Sequence, residues 1–203
     1  MGKQISWAKV VFNTILLTGI ITSCNIIAGD VEKAGVQTTT TSAAQIAMVS
    51  ERSFDTEKQT EYAVPYGDTA FKSYMSFRAI TNTQSAQYRL QQKCWTDDEG
   101  LRRLGDDYVV ALGTYYADHV GQRFEITLSS GTSFTAVVGD IKSNRDTDST
   151  HKYTAMSGGR KNVVEFVVDT KKLNSKARKM GDISYISGFS GNIRSIEEKG
   201  SMD

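Results

Sequence analysis

Proline is nearly absent: Pro65 stands alone against 17 glycines in 203 residues. Turns therefore fall mostly to glycine, whose missing Cβ leaves positive φ open. Cysteine is as scarce. Cys24 and Cys94 are the whole complement, too few for the cross-linked framework of a small secreted domain. Two histidines, His119 and His151, exclude a histidine-rich metal centre. There is no glycine-rich phosphate loop and no dinucleotide fingerprint, so nothing points to a cofactor. Neither sign of charge dominates: 24 Lys+Arg against 23 Asp+Glu leave a net charge of +1. That balance makes no whole-chain case for nucleic acid. Basic residues interleaved with aromatics, as in Phe71-Lys72-Ser73-Tyr74, are too sparse to make a local one. At 39% hydrophobic residues, the length and composition fit one modest core with appendages.

Charge is also missing locally. Residues 10–29 carry none, behind Lys3 and Lys9 and ahead of Asp30. A basic start before an apolar stretch has the form of an export signal, and the run also reaches the length that spans a bilayer. Three outcomes are open. Ile21-Thr22-Ser23-Cys24 resembles a bacterial lipobox, with Cys24 the lipidated first residue of a mature protein. Alternatively the segment stays as an uncleaved anchor, or cleavage follows Ala28. Each version exports the rest of the chain, to the outer face of the membrane or beyond it. Residues 30–69 are expected to be a flexible linker: Thr38-Thr39-Thr40-Thr41-Ser42 is low complexity, and 51–61 is polar with little periodicity. Such composition buries too little to offset its ordering entropy.

The rest reads as a mainly β domain over 70–200. Four runs carry it: 108–116 (YVVALGTYY), 123–128 (RFEITL), 133–140 (SFTAVVGD) and 162–169 (NVVEFVVD). Each is dense in Val, Ile, Phe, Tyr and Thr, which suit a pleated, half-buried surface. Residues 71–80 alternate enough for an extended segment. A helix is expected over 84–93, capped by Ser85, with Ala86, Leu90 and Lys93 on one face. A second is expected over 171–181, with Leu173, Ala177 and Met180 inward and Gly181 as its stop. Its Lys171, Lys172, Lys176, Arg178 and Lys179 make either a solvated face or a cationic surface for an anionic wall polymer. Residues 182–186 and 192–196 read as two short closing strands, and the last residues as loose ends.

Chemistry should sit where the strands deliver carboxylates: Asp140 and Asp169 end two runs and Glu165 lies inside the last. Arg145 to His151 is the most polar loop. Asp146, Asp148 and His151 there have the groups to bind a cation, but the glycine and distal glutamate of an EF-hand loop are missing. Cys94, after a helix and before a turn, reads as a packed free thiol and not as a nucleophile beside Asp118-His119.

The order of these pieces resembles the double-psi β-barrel domains of bacterial cell-wall enzymes. The nearest forms are the three-aspartate (3D) domain shared with membrane-bound lytic transglycosylase A and the rare-lipoprotein-A type of barrel. Val110-Ala111-Leu112-Gly113 resembles the turn that opens such barrels. Val138-Gly139-Asp140-Ile141-Lys142 resembles the strand that ends in an acid, and Val163-Val164-Glu165-Phe166 the later strand that carries one. The Gly-Gly after the first acid is missing, the loop 142–162 is longer, and the second acid is Glu and not Asp. The chain is also similar to small exported proteins of Gram-positive bacteria. The resemblance covers about residues 100–170 and implies a six-stranded double-psi β-barrel-like domain with one or two short helices, its barrel core at about 100–198. It implies peptidoglycan as partner and lytic-transglycosylase-like cleavage: Glu165 the general acid and Asp140 the neighbour that raises its pKa or stabilises charge on the sugar. Lys142, Tyr115, Tyr116 and Tyr153 would line the groove. The alternative on the same barrel is a module that binds wall glycan or a partner protein without cutting, the tyrosines forming its stacking surface.

Overall fold

The computed structural model describes residues 60–202. The uncharged run 10–29, Cys24 and the linker up to residue 59 lie outside the described residues. Among the described residues no helix is long and apolar enough to cross a membrane.

The domain is mainly β. Its strands are β1 (Glu61–Tyr62), β2 (Tyr74–Ser76), β3 (Trp95–Thr96), β4 (Arg102–Leu104), β5 (Asp107–Gly113), β6 (Gln122–Leu128), β7 (Ser133–Lys142), β8 (Thr154–Ala155), β9 (Lys161–Asn162), β10 (Glu165–Val168) and β11 (Ile193–Ser201). Two short α-helices accompany them, α1 (Ala86–Lys93) and α2 (Ser175–Met180). Nine strands form one sheet in the order β1-β11-β6-β7-β5-β10-β2, with β4 also on β5 and β3 on β4. β8 and β9 pair apart as a small hairpin. β5 runs parallel to β7, and β10 parallel to β2. The other pairs are antiparallel.

Burial follows the side-chain period. β6 alternates: Phe124, Ile126 and Leu128 are buried while Arg123, Glu125 and Thr127 are partly exposed, so one face is wet. β5 and β10 are apolar at successive positions because both faces are covered. On the inner side Val110, Leu112, Phe124, Val138, Phe166, Phe189 and Ile196 share the main core. On the outer side Val109, Val137 and Val167 pack beneath Leu90 of α1.

The expected closed barrel is not formed. The sheet path runs from β1 to β2, and no pairing joins those edges. Tyr62 from β1 and Tyr74 from β2 both lean on the inner core, so the sheet curls round it. However, the edge strands are two and three residues long, and β2 turns at once into a 3-10 turn at Phe77–Ala79. Closure needs edge strands long enough to tilt and pair around the axis. The sheet also draws on residues before the expected core: β1 and β2 precede residue 100.

The four β-rich runs carry strands and the Ser85 and Gly181 caps are formed, but the helices are shorter than the expected 84–93 and 171–181: the second starts only at Ser175, after a turn over 170–173. Ser85 Oγ accepts from the Tyr88 N–H at 3.1 Å, and Gly181 is left-handed at φ 67°. Four local expectations fail. Glu61–Tyr62 pairs with β11, so the ordered chain begins before residue 70. It is held there because Tyr62 Oη donates to Glu198 Oε2 and Glu198 N–H donates to the Thr60 carbonyl, both at 2.9 Å. The chain after it is tied by Asn192 Oδ1, which accepts from the Thr69 N–H at 2.8 Å, and by Lys72 Nζ, which donates to the carbonyls of Ala70 and Gly191. Residues 182–186 hold a 3-10 turn at Ile183–Tyr185 and not a strand, because Asp182 Oδ1 accepts from Ser184 N–H and caps it. β11 runs on to Ser201 opposite Gln122, so the C-terminal residues join the sheet. The inward faces of the helices are narrower than expected: Leu90 and Gln91 are buried, while Ala86, Lys93 and Met180 are exposed.

Two glycines in the β runs are there for space. A Cβ on Gly113 would lie 2.0 Å from the His151 carbonyl oxygen, and one on Gly139 would lie 2.2 Å from Val109 Cγ1. Gly113 thus lets the 143–153 loop cross directly against β5, and Tyr115 N–H reaches the same carbonyl. Gly113→Ala should therefore cost at least about 2 kcal/mol, because backbone has to move. Gly105→Ala, with nothing near its Cβ but a φ of +57°, should cost only about 1 kcal/mol. Urea midpoints of the two variants test the contrast, which disappears if the loop does not pack on Gly113.

Candidate functional site

Strand register brings the two singled-out acids together. Ala111 of β5 is opposite Asp140 of β7 on one side and Glu165 of β10 on the other. Val110 and Leu112 point into the main core, so Ala111 faces the outer side. Val167 belongs to the outer cluster, and the two-residue period puts Glu165 beside it. Ile141 packs on the inner core, and Gln87 of α1 reaches Asp140 from outside, Nε2 to Oδ1 at 3.4 Å. Both carboxylates therefore emerge on the outer face with a small alanine between them. Their Cα atoms are two strand spacings apart, about 10 Å. A register slip at Gly139 places Asp140 there: Val110 pairs with Val138, and Ala111 then skips to Asp140. A bulge turns the next side chain to the face it would otherwise miss.

Lys142 is the next residue of β7 on that face, opposite Gly113. It is buried, and its Nζ donates to the Asn162 carbonyl at 2.7 Å. Burial pushes its pKa down to about 8, against the opposing pull of the Glu165 charge. Asn162 is itself fixed by the residue before β2: its Oδ1 accepts from Ser73 N–H at 3.1 Å, and its Nδ2 donates to Ser73 Oγ at 2.6 Å. Lys142 is thus anchored by a chain of partners reaching from β7 to Ser73, the residue before β2.

Asp140 lines a cleft of about 340 Å³ with Met75, Ile80, Asn82, Ser85 and Gln87. The turn into α1 builds this wall. Asn82 Oδ1 accepts from Gln84 N–H, and Ser85 Oγ donates to the Asn82 carbonyl. The cleft offers amides, hydroxyls, one carboxylate and one thioether. Gln87, Asn82 and Met75 carried no signal in the sequence. They are polar or flexible residues at ordinary spacing, and only the docking of α1 on β7 brings them to Asp140.

The tyrosines do not form the expected stacking surface. Tyr116 is 2% exposed and lies in the inner core, edge-on to Tyr62 at 5.8 Å. Burial drives its hydroxyl well above the ordinary tyrosine value. Tyr153 packs against the same core. Tyr115 alone stays open, at 39%, with Lys152 Nζ 4.2 Å over its ring. It belongs to the Tyr62–Tyr116 group and not to the acidic face. Aromatic bodies at the ends of core strands sink inward because of the apolar area they bury.

The other singled-out groups are structural. Asp169 holds Arg78 through both oxygens, at 2.6 and 3.1 Å, and accepts from Lys171 N–H, which closes the turn towards α2. Asp148 accepts from the N–H groups of Thr150, Lys152 and Tyr153. Burial works to raise its carboxyl, but these bonds and the Thr150 hydroxyl outweigh it and hold the pKa at about 2. That carboxylate organises its own loop. Among the described residues no group of three or more His, Cys, Asp or Glu gathers where it could hold a metal ion. Burial raises the Cys94 thiol to about 11, and its Sγ donates to the Leu90 carbonyl at 3.2 Å. Its nucleophilic form is therefore scarce.

Lys142 makes a testable pH signature. The folded group titrates near 8, whereas an unfolded lysine titrates near about 10.4. Between those values the unfolded chain binds more protons, so the contribution of this residue to stability rises with pH. Relative to Lys142→Met, the wild-type protein should gain up to about 3 kcal/mol from about pH 7 to about pH 10. Urea midpoints of both proteins across that range check it, and a constant difference would contradict the assignment. In comparisons with known proteins, no family model, no curated protein and no solved structure matches this chain.

Proposed function

We propose that this protein is exported to the cell envelope and that its β domain is a non-catalytic module that binds wall glycan on the outer face of the sheet. One observation carries the choice of binding over cutting: Glu165, the acid that cleavage would use, does not line the cleft at Asp140. A general acid has to lie within hydrogen-bond reach of the glycosidic oxygen that it protonates. The cleft at Asp140 supports the glycan part of the reading. Its carboxylate, the Gln87 and Asn82 amides and the Ser85 hydroxyl are groups that pair with sugar hydroxyls and acetamido groups. The basic start and the uncharged run 10–29 support export.

Acid-catalysed cleavage in the manner of a lytic transglycosylase is the second reading. It is favoured by the shared outward face of Asp140 and Glu165 on either side of Ala111.

The full chain incubated with purified peptidoglycan separates the two. It should sediment with the polymer and release no anhydro-muropeptides. Asp140→Ala should weaken binding by about 10-fold or more, as expected for the loss of a charged hydrogen-bonding group. Release of anhydro ends that vanishes in Glu165→Gln would establish cleavage instead. Failure to sediment would remove the wall-glycan reading.

A further inference from the structure

The turn into α2 and the helix itself carry Lys171, Lys172, Lys176, Arg178 and Lys179, all exposed. None of the five has an ion-pair partner among the described residues. The acids around them are engaged elsewhere. Arg78 holds Asp169. Asp182 accepts from the N–H groups of Lys72 and Ser184. Glu99 accepts from Asn174 Nδ2 at 2.7 Å. Five cations without a close ion pair within nine residues stand out on a chain of net charge +1.

A solvated face would account for the charges alone, but not for their company. Met180 is 49% exposed and Tyr185 is 41% exposed. Lys176 Nζ lies 5.1 Å over the Tyr185 ring, so the tyrosine sits inside the basic patch. Helix geometry does not force Met180 outward by chance of a long apolar stripe. Leu173 and Ala177 fill the inward side, and the left-handed cap at Gly181 ends the helix just after Met180. Cations flanking an exposed thioether and a phenol match the boundary of an anionic bilayer. There, lysine and arginine meet headgroup phosphates and amphipathic aromatic side chains sit at headgroup depth. A soluble polyanion would reward the charges but not the exposed methionine.

We propose that the face formed by Lys171, Lys172, Lys176, Arg178, Lys179, Met180 and Tyr185 docks on an anionic phospholipid surface. This surface is separate from the cleft at Asp140 and stands whether or not that cleft binds glycan. Each of the charges contributes about fivefold to partitioning onto an anionic leaflet, and added salt screens that contribution.

The test uses the full chain in vesicles of phosphatidylcholine with and without phosphatidylglycerol, read by amide hydrogen exchange over residues 171–186. That readout is local, so any association of the N-terminal segment with vesicles does not enter it. Phosphatidylglycerol should slow exchange in this segment, and added salt should reverse the effect. The combined variant Lys171→Gln, Lys172→Gln, Lys176→Gln and Lys179→Gln should lose the protection. Met180→Ser with Tyr185→Ser should keep the charges yet lose the part of the protection that survives salt. No change with phosphatidylglycerol would overturn the proposal. So would protection by soluble polyphosphate that phosphatidylglycerol vesicles fail to give.

Discussion

Two-sided burial of β5 is the constraint on which the rest of the domain depends. Val109, Val110, Ala111 and Leu112 are at most 1% exposed. Alternate residues feed the inner core and the layer under α1. A strand in that position has no wet face for long polar side chains, so β5 itself supplies no chemistry. It supplies small residues instead, and its neighbours use the space. Ala111 separates Asp140 from Glu165, and Gly113 lets the 143–153 loop lie against the strand.

The same layer explains the character of the candidate site. An acid flanked by apolar neighbours in sequence, as Glu165 is by Val164 and Phe166, suggests a desolvated proton donor. Val164 and Phe166 are in fact both in the inner core, on the face opposite Glu165. What shares the outward face with Glu165 is Lys142, whose amine is buried and anchored to Asn162. The charge of Glu165 lessens the cost of burying that ammonium.

Much of this was readable from residues alone. The four β-rich runs, the Ser85 and Gly181 caps and the acids on neighbouring strands follow from side-chain period and cap chemistry, which are local. The tyrosines were misplaced for a reason of the same kind. Tyr115, Tyr116 and Tyr153 look alike in sequence, and only core packing separates the exposed ring from the buried ones. Residues 182–186 alternate like a strand, but Asp182 has a nearer use for its carboxylate as a cap. Lys72 looked like one basic residue among aromatics, yet it is fully buried and joins the entry of β2 to the loop before β11.

By itself, the sequence determined that the domain is mainly β, where its principal strands and helices lie, and which carboxylates stand at strand positions. These depend on periodicities of two and 3.6 residues and on caps that act within a few positions. Tertiary structure alone decided that the sheet stays open and that a slip at Gly139 turns Asp140 to the face of Glu165. It also decided that the Lys142 amine is buried on that face and anchored to the Asn162 carbonyl. Those outcomes depend on which strands become neighbours and in what register, and a one-residue change in register moves every side chain to the other face.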